Sequence, residues 1–138
     1  MTEVRAMREH DAVAIAAPRP PIDLSPFAGT WRKTSDAEQW IDRLAVRIDG
    51  GALQVRVFGS APPSPPDWGS VQAAAIYAAG IDAARGMAFV ARYALDECDV
   101  ELEANVNLGL MVTATFVRWK RGGRANAFTR EFFYRSET

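Results

Sequence analysis

The sequence predicts an all-β domain, a single antiparallel barrel of roughly eight strands behind an N-terminal arm. Three observations predict it. Apolar and polar residues alternate with period two along most of the chain after Phe27, the pattern of strands with one buried face. Turn residues at Asp49-Gly50-Gly51 and at Lys120-Arg121-Gly122-Gly123 each separate two such runs, the mark of hairpins. Pro18, Pro20, Pro21 and Pro26 crowd the segment before Phe27, where missing amide donors and fixed φ angles stop regular structure. A chain of 138 residues supports one core, which can bury roughly two-thirds of the unfolded surface. The expected organisation is an arm over residues 1–25 and a barrel over 26–138.

Within the arm, Val13, Ile15 and Ala16 can offer an apolar edge strand, which makes the arm a candidate homodimer contact. Its longest apolar run, Ala12 to Ala17, is interrupted upstream by Glu3, Glu9 and Asp11 and is too short for a signal peptide. The chain has no apolar run of the roughly 20 residues that a membrane helix needs, so a cytoplasmic protein with no membrane partner is expected.

The barrel opens with a strand over Phe27 to Lys33. Trp40, Leu44, Val46 and Ile48 then alternate with Ile41, Arg43, Ala45 and Arg47, and the Asp49-Gly50-Gly51 turn leads into Leu53, Val55 and Val57. A strand near Trp68 to Tyr77 follows. The stretch from Val71 to Arg85 has the alanine content of a helix, but Gly80 and Gly86 limit one, and it reads as strand, turn, strand. Met87 to Leu95 puts Phe89 and Tyr93 on one face and Arg92 on the other. Val100, Leu102, Ala104 and Val106 alternate with Asp99, Glu101, Glu103, Asn105 and Asn107, an acidic outer face. Leu110 to Trp119 and Phe128 to Tyr134 form the second hairpin. A sheet of sequential hairpins removes its exposed edges by closing, and an eight-stranded barrel has an interior wide enough for one small ligand.

The segment Pro26-Phe27-Ala28-Gly29-Thr30-Trp31 resembles the G-x-W opening strand of lipocalins, fatty-acid-binding proteins and their calycin relatives. That resemblance implies that Trp31 plugs one barrel end and that Arg130 or Arg135, on the last strand, packs across it as a cation–π contact. The chain also resembles an uncharacterised bacterial barrel domain with a W/F-G-x-C-x-P-x-x-C-D-W-G stretch and a terminal G-R-x-x-[YF]-x-x-E-x-F-x-R strand. The matching residues are Phe58-Gly59, Pro63, Asp67-Trp68-Gly69, Gly123-Arg124, Phe128, Glu131, Phe133 and Arg135. Ala61 and Pro66 stand where that domain has cysteines, so any disulfide or metal role of those cysteines is lost. The second resemblance supports the barrel and implies no activity.

Composition excludes several functions. Sixteen basic residues face 17 acidic ones, a net charge of −1, so no electrostatic footprint for nucleic acid exists. Arg43, Arg47 and Arg56 sit at alternating strand positions and read as a solvated face. Cys98 is the single cysteine and His10 the single histidine. A disulfide, a thiolate or multi-histidine metal site and a Ser–His–Asp arrangement in the barrel are therefore excluded. Dinucleotide, Walker, zinc-protease and EF-hand spacings are absent, and neither metal nor cofactor is expected.

What remains is shape. Ala73, Ala74, Ala75, Ala88, Ala91, Ala94, Ala104 and Ala114 lie in expected strands, and small residues on inward faces leave space for a guest. The competing reading fills that space with Phe89, Phe116, Phe128 and Phe132. Trp68, on the proline-rich loop from Ser60 to Gly69, and Gln72, Tyr77, Arg92, Tyr93, Arg118 and Tyr134 are the candidate ligand contacts. That loop reads as a rigid connection in which Asp67 caps a turn and Trp68 packs on the core, or as a lid at the barrel mouth. The functional expectation is a small-molecule-binding barrel for a hydrophobic metabolite. A cofactor-free cyclase or isomerase is chemically open to it, since folding a flexible substrate needs shape more than a triad. The alternative is a solid barrel serving as a protein-interaction module.

Overall fold

The computed structural model describes residues 21–37 and 39–137. His10 and the expected edge strand and dimer contact of the arm lie outside the described residues. The elements are a 3-10 turn at Ser25–Phe27 and nine strands: β1 (Gly29–Lys33), β2 (Ile41–Asp49), β3 (Ala52–Gly59), β4 (Gly69–Gln72), β5 (Ala75–Ala78), β6 (Gly86–Ala94), β7 (Cys98–Asn107), β8 (Leu110–Trp119) and β9 (Ala127–Ser136). All strand pairs are antiparallel, in the order β4-β3-β2-β1-β9-β8-β7-β6-β5. No described helix is long and apolar enough to cross a membrane.

The two outermost strands of this sheet, β4 and β5, are separated in sequence only by Ala73 and Ala74. The Ala73 N–H donates to Leu53 O (2.8 Å) on β3, and the Ala74 N–H donates to Val90 O (2.7 Å) on β6. One peptide step thus carries the chain from one sheet edge to the other, and the sheet curls until its ends are two halves of one bent strand. That bend explains why nine strands stand where roughly eight were expected. The alanine-rich stretch is strand, turn, strand, as its glycines required.

Local phase follows the sequence with one exception. At the start of β2 the register shifts between Ile41 and Arg43, a bulge that turns Ile41 inward with Leu44 and Val46 and takes Trp40 out of the expected series. Ile48, also expected inside, is 45% exposed at the hairpin end. There Gly50 and Gly51 adopt φ of 60° and 81°, as a two-residue hairpin turn with both central residues left-handed demands.

One barrel end is plugged by Trp31, whose Nε1–H donates to Phe27 O at 2.9 Å. The Arg135 guanidinium lies 5.0 Å from the Trp31 ring centroid and also donates to Pro26 O. Arg130, the other candidate, is not part of the plug. It lies five residues from Arg135, so it faces the opposite side of the strand and is exposed. Phe27 meets the edge of Phe89 at 5.4 Å, and Gly86 is required beside it, because a Cβ there would sit 2.5 Å from the Phe27 ring. The Asp23 N–H donates to Ala84 O and Asp23 O accepts from the Gly86 N–H, so residues just before the plug lie against the β5–β6 turn. The strand order and this plug make the fold an all-β, calycin-like barrel.

The interior is filled by Trp31, Leu44, Val55, Phe89, Leu102, Met111 and Phe133, none with exposed surface. Tyr93 reaches across to donate its hydroxyl to Val55 O at 2.7 Å. Phe116, Phe128 and Phe132, expected as alternative filling, instead point outward and are 42%, 53% and 50% exposed.

Candidate functional site

The opposite end, the mouth, is built around a break in the wall. β9 pairs with β1 only from Phe133 to Ser136, and the Thr34 N–H to Phe132 O bond is the last across that seam. The stretch of β9 from Ala127 to Glu131 has no strand beside it on the β1 side. The seam is stapled by a side chain: Glu131 Oε2 accepts from the Ile41 N–H at 3.1 Å and Oε1 accepts from the Thr129 hydroxyl at 3.2 Å. Glu131 is 4% exposed. Burial pushes its pKa up, opposed by the hydrogen bonds from Ile41 and Thr129 and by the neighbouring Trp40 backbone and Gln39 amide.

Around this carboxylate the polar accounts do not close. Among the described residues, Trp40 Nε1 and Thr115 Oγ1 are buried without a hydrogen-bond partner, whereas the Gln39 amide has the Glu131 carboxylate beside it. Gln39 and Trp40 immediately precede Ile41. Thr115 lies directly opposite Thr129 in the β8–β9 register, and Thr113 lies opposite Glu131. A groove of about 390 Å³ runs between Gln39, Trp40, Thr129, Arg130 and Glu131 on one side and Ala61, Pro62 and Pro63 on the other.

The proline loop is a fixed wall of that groove. Trp68 donates from Nε1 to Ser64 Oγ at 3.1 Å, and the Gly69 N–H donates to Asp67 Oδ1 at 2.9 Å. Arg56 donates from Nε to the same carboxylate at 3.3 Å, and this guanidinium, with the Gly69 amide, holds the Asp67 carboxyl below its ordinary range. A Cβ on Gly59 would collide with Pro65 O at 2.0 Å, so only glycine lets the loop lie this close to β3. Asp67 and Trp68 thus take the turn-capping and core-packing roles. The mouth is aromatic: Trp40 meets Trp68 at 6.2 Å and Trp119 at 6.1 Å, and Trp68 meets Tyr93 at 5.2 Å.

Of the expected ligand contacts, the structure brings together only Trp68 and Tyr93, both buried and both hydrogen-bonded within the protein. The remaining five face outward: Gln72 is exposed on β4, Arg92 pairs with Glu101 at 3.1 Å, and Tyr77, Arg118 and Tyr134 are exposed. The reason is strand phase for Arg92, Arg118 and Tyr134, each next to a buried residue of its strand, whereas Gln72 and Tyr77 lie on the short strands β4 and β5, which have no fully buried residue. The alanines divide likewise. Ala91 and Ala104 are inside, whereas Ala88 and Ala114 floor a second groove of about 620 Å³ on the outer wall, rimmed by Tyr77, Arg130 and Phe132. Cys98 is buried, and burial followed by Asp99 and Glu97 raises its pKa, which keeps the thiol protonated and inert.

Gln39, Thr115, Thr129 and Glu131 were not among the expected contacts. Glu131 left a readable signal, since it shares the inward phase of Phe133 and a carboxylate there must be paired. Gln39 and Trp40 left none, because the bulge that places them is invisible in the pattern.

No family model matches the chain and no curated protein matches it significantly. Among solved structures, the fluorescent protein UnaG in its wild-type form is similar at 12% identity over 83% of this chain and 100% of that chain, with a TM-score of 0.41. A point mutant of the same protein is similar at 12% identity over 84% and 100%, with a TM-score of 0.42.

Proposed function

We propose that this protein is a small-molecule-binding barrel whose ligand is held at the mouth, in the groove between Trp40, Glu131 and the proline loop. The observation that carries the reading is the buried donor at Trp40 Nε1, which has no partner among the described residues. Such a donor costs about 1–3 kcal/mol when left unmade, and native proteins keep few of them without a reason. An acceptor supplied from outside the chain is that reason. Trp40, Pro62 and Pro63 supply apolar walls, and Arg130 and Glu131 put one charge of each sign on the lining, which favours neither an anion nor a cation. The ligand class is therefore an apolar molecule bearing a neutral carbonyl or hydroxyl oxygen. The groove's size falls in the range of roughly 300–1,000 Å³ typical of such sites. Binding rather than turnover is proposed, because both Glu131 oxygens are engaged in closing the wall.

The test combines native mass spectrometry of the full chain purified from its source cell with a tryptophan-fluorescence titration by apolar ketones and alcohols. A small-molecule adduct or a saturable fluorescence change is expected, weakened about tenfold in Trp40→Phe, the loss that one well-made hydrogen bond represents. If the wild-type protein shows neither, the reading fails.

A further inference from the structure

The outward side chains of β8 and β9 form an apolar face in which Leu110, Phe116, Phe128, Phe132 and Tyr134 are all exposed. Single exposed apolar residues need no explanation, but a contiguous patch marks a contact surface. Phe116 and Phe128 already stack at 5.1 Å, which fixes them in place. Within the patch, Glu103 on β7, Ala114 on β8 and Arg130 on β9 occupy one register row. An acid and a base thus stand on either side of a small residue. Among the described residues neither forms an ion pair.

We infer that this face is the meeting surface of two copies of the chain, related by a two-fold axis parallel to β8. A rotation about such an axis exchanges the strands on either side of it and preserves the rows. β7 of one copy then lies opposite β9 of the other. Glu103 faces Arg130 of the partner subunit, and symmetry makes the same pair twice. Ala114 meets its own copy on the axis, where its small side chain lets the sheets approach. Phe132 of the partner subunit enters the outer groove over Asn105 and Ala88. Facing sheets pack about 10 Å apart, a gap that a glutamate and an arginine span together. The face is thus complementary to itself in charge as well as apolar, the requirement for an isologous contact. The inference does not rest on the proposed ligand, although Arg130 lines both grooves.

Sedimentation equilibrium of the full chain tests it. A reversible dimer is expected for the wild type. Glu103→Arg and Arg130→Glu should each weaken association by about tenfold or more, as placing like charges together does. The double reversal should return it to within about threefold of wild type, because it restores the opposite-charge pair. Far-UV circular dichroism and a thermal melt establish that each variant is folded, which these exposed positions favour. A monomeric wild type, a dimer unmoved by either single reversal, or a double variant that stays dissociated each overturns the inference. Ligand binding at the mouth, read by fluorescence in Glu103→Arg, whose position lines the outer groove and not the mouth, is unaffected if the two proposals are separate, and its failure counts against that site alone.

Discussion

At one end of the barrel Trp31 donates to Phe27 O and lies under Arg135; at the other, Trp40 has no acceptor among the described residues and Trp68 depends on a serine of the adjoining loop. Both ends are closed by large aromatics, so apolar burial does not distinguish them. Polar satisfaction does. The Trp31 end has its indole donor paired within four residues, and the strands around it, β1 and β9, are in register. The mouth has an interrupted β1–β9 seam, a buried carboxylate as staple, and an indole donor with no acceptor among the described residues. One end is finished by the chain's own groups, and the other leaves a donor for the ligand proposed above. The comparison separates residues that hold the fold from residues proposed to bind.

The largest effect should come from breaking the finished end. Trp31→Ala removes a fully buried indole and should cost about 3–5 kcal/mol, the range for large buried aromatics. Urea denaturation reads this directly, and a loss under about 1 kcal/mol would mean that the plug is not the anchor of the fold. Next comes the packed middle that separates the two ends. Ala91 has no exposed surface whereas Ala114 faces the outer wall. Ala91→Leu should therefore destabilise by about 1–3 kcal/mol through overpacking, and Ala114→Leu should leave the unfolding midpoint of the monomer nearly unchanged. Equal effects would show that the interior has room to spare.

These assignments show how far the sequence could be read. The hairpins, the inward phase of β6 to β8 and the Trp31 plug follow from period two, turn chemistry and one short motif, all of them local signals. The choice between Arg130 and Arg135 was also decidable from phase, since Arg135 shares the parity of Glu131 and Phe133. The site was not legible in the same way. Its residues depend on a bulge at Ile41, on where β1 stops pairing with β9, and on how the proline loop lies against Gly59. Each is a tertiary outcome with no period of its own. The choice between a hollow and a filled centre stayed open in the sequence for a related reason. Alanine count reports small side chains but not the wall they face, and of the alanines in β6 to β8 only Ala91 and Ala104 are buried.

A smaller effect, visible in pH dependence, tests the staple at the mouth. In the unfolded chain Glu131 titrates in the ordinary carboxylate range; in the native protein burial raises its pKa. Between those values the native state keeps a proton that the unfolded state has lost. Stability should therefore be greatest below the ordinary range and fall as pH rises through the raised value, then level off. Asp67 and Asp23 have lowered values and act only at more acidic pH. Glu103 is raised as well, but it stays in the background that both proteins share. Glu131→Gln retains an acceptor for the Ile41 N–H and carries no titratable proton. Its thermal midpoint minus that of wild type should rise with pH across this window, and a flat difference would show that Glu131 has no raised pKa.

The smallest effect compares two tryptophans of the mouth directly. Trp68 Nε1–H is paired with Ser64 Oγ, whereas Trp40 Nε1–H has no partner among the described residues. Replacing each by Phe removes the indole donor and part of the ring, so the packing losses are of the same kind in both. Trp68→Phe also leaves the Ser64 hydroxyl unmatched in a buried position and forfeits a hydrogen bond worth about 0.5–1.5 kcal/mol. Trp40→Phe removes a donor that costs the unliganded protein stability, which offsets its packing loss. Chemical denaturation without ligand should therefore show Trp40→Phe as the milder substitution by about 1 kcal/mol. With a ligand bound at the mouth the order should narrow or reverse, because the donor is then used. If Trp40→Phe is the more damaging change in the free protein, its N–H already has an acceptor, and the contrast between the two ends of the barrel does not hold.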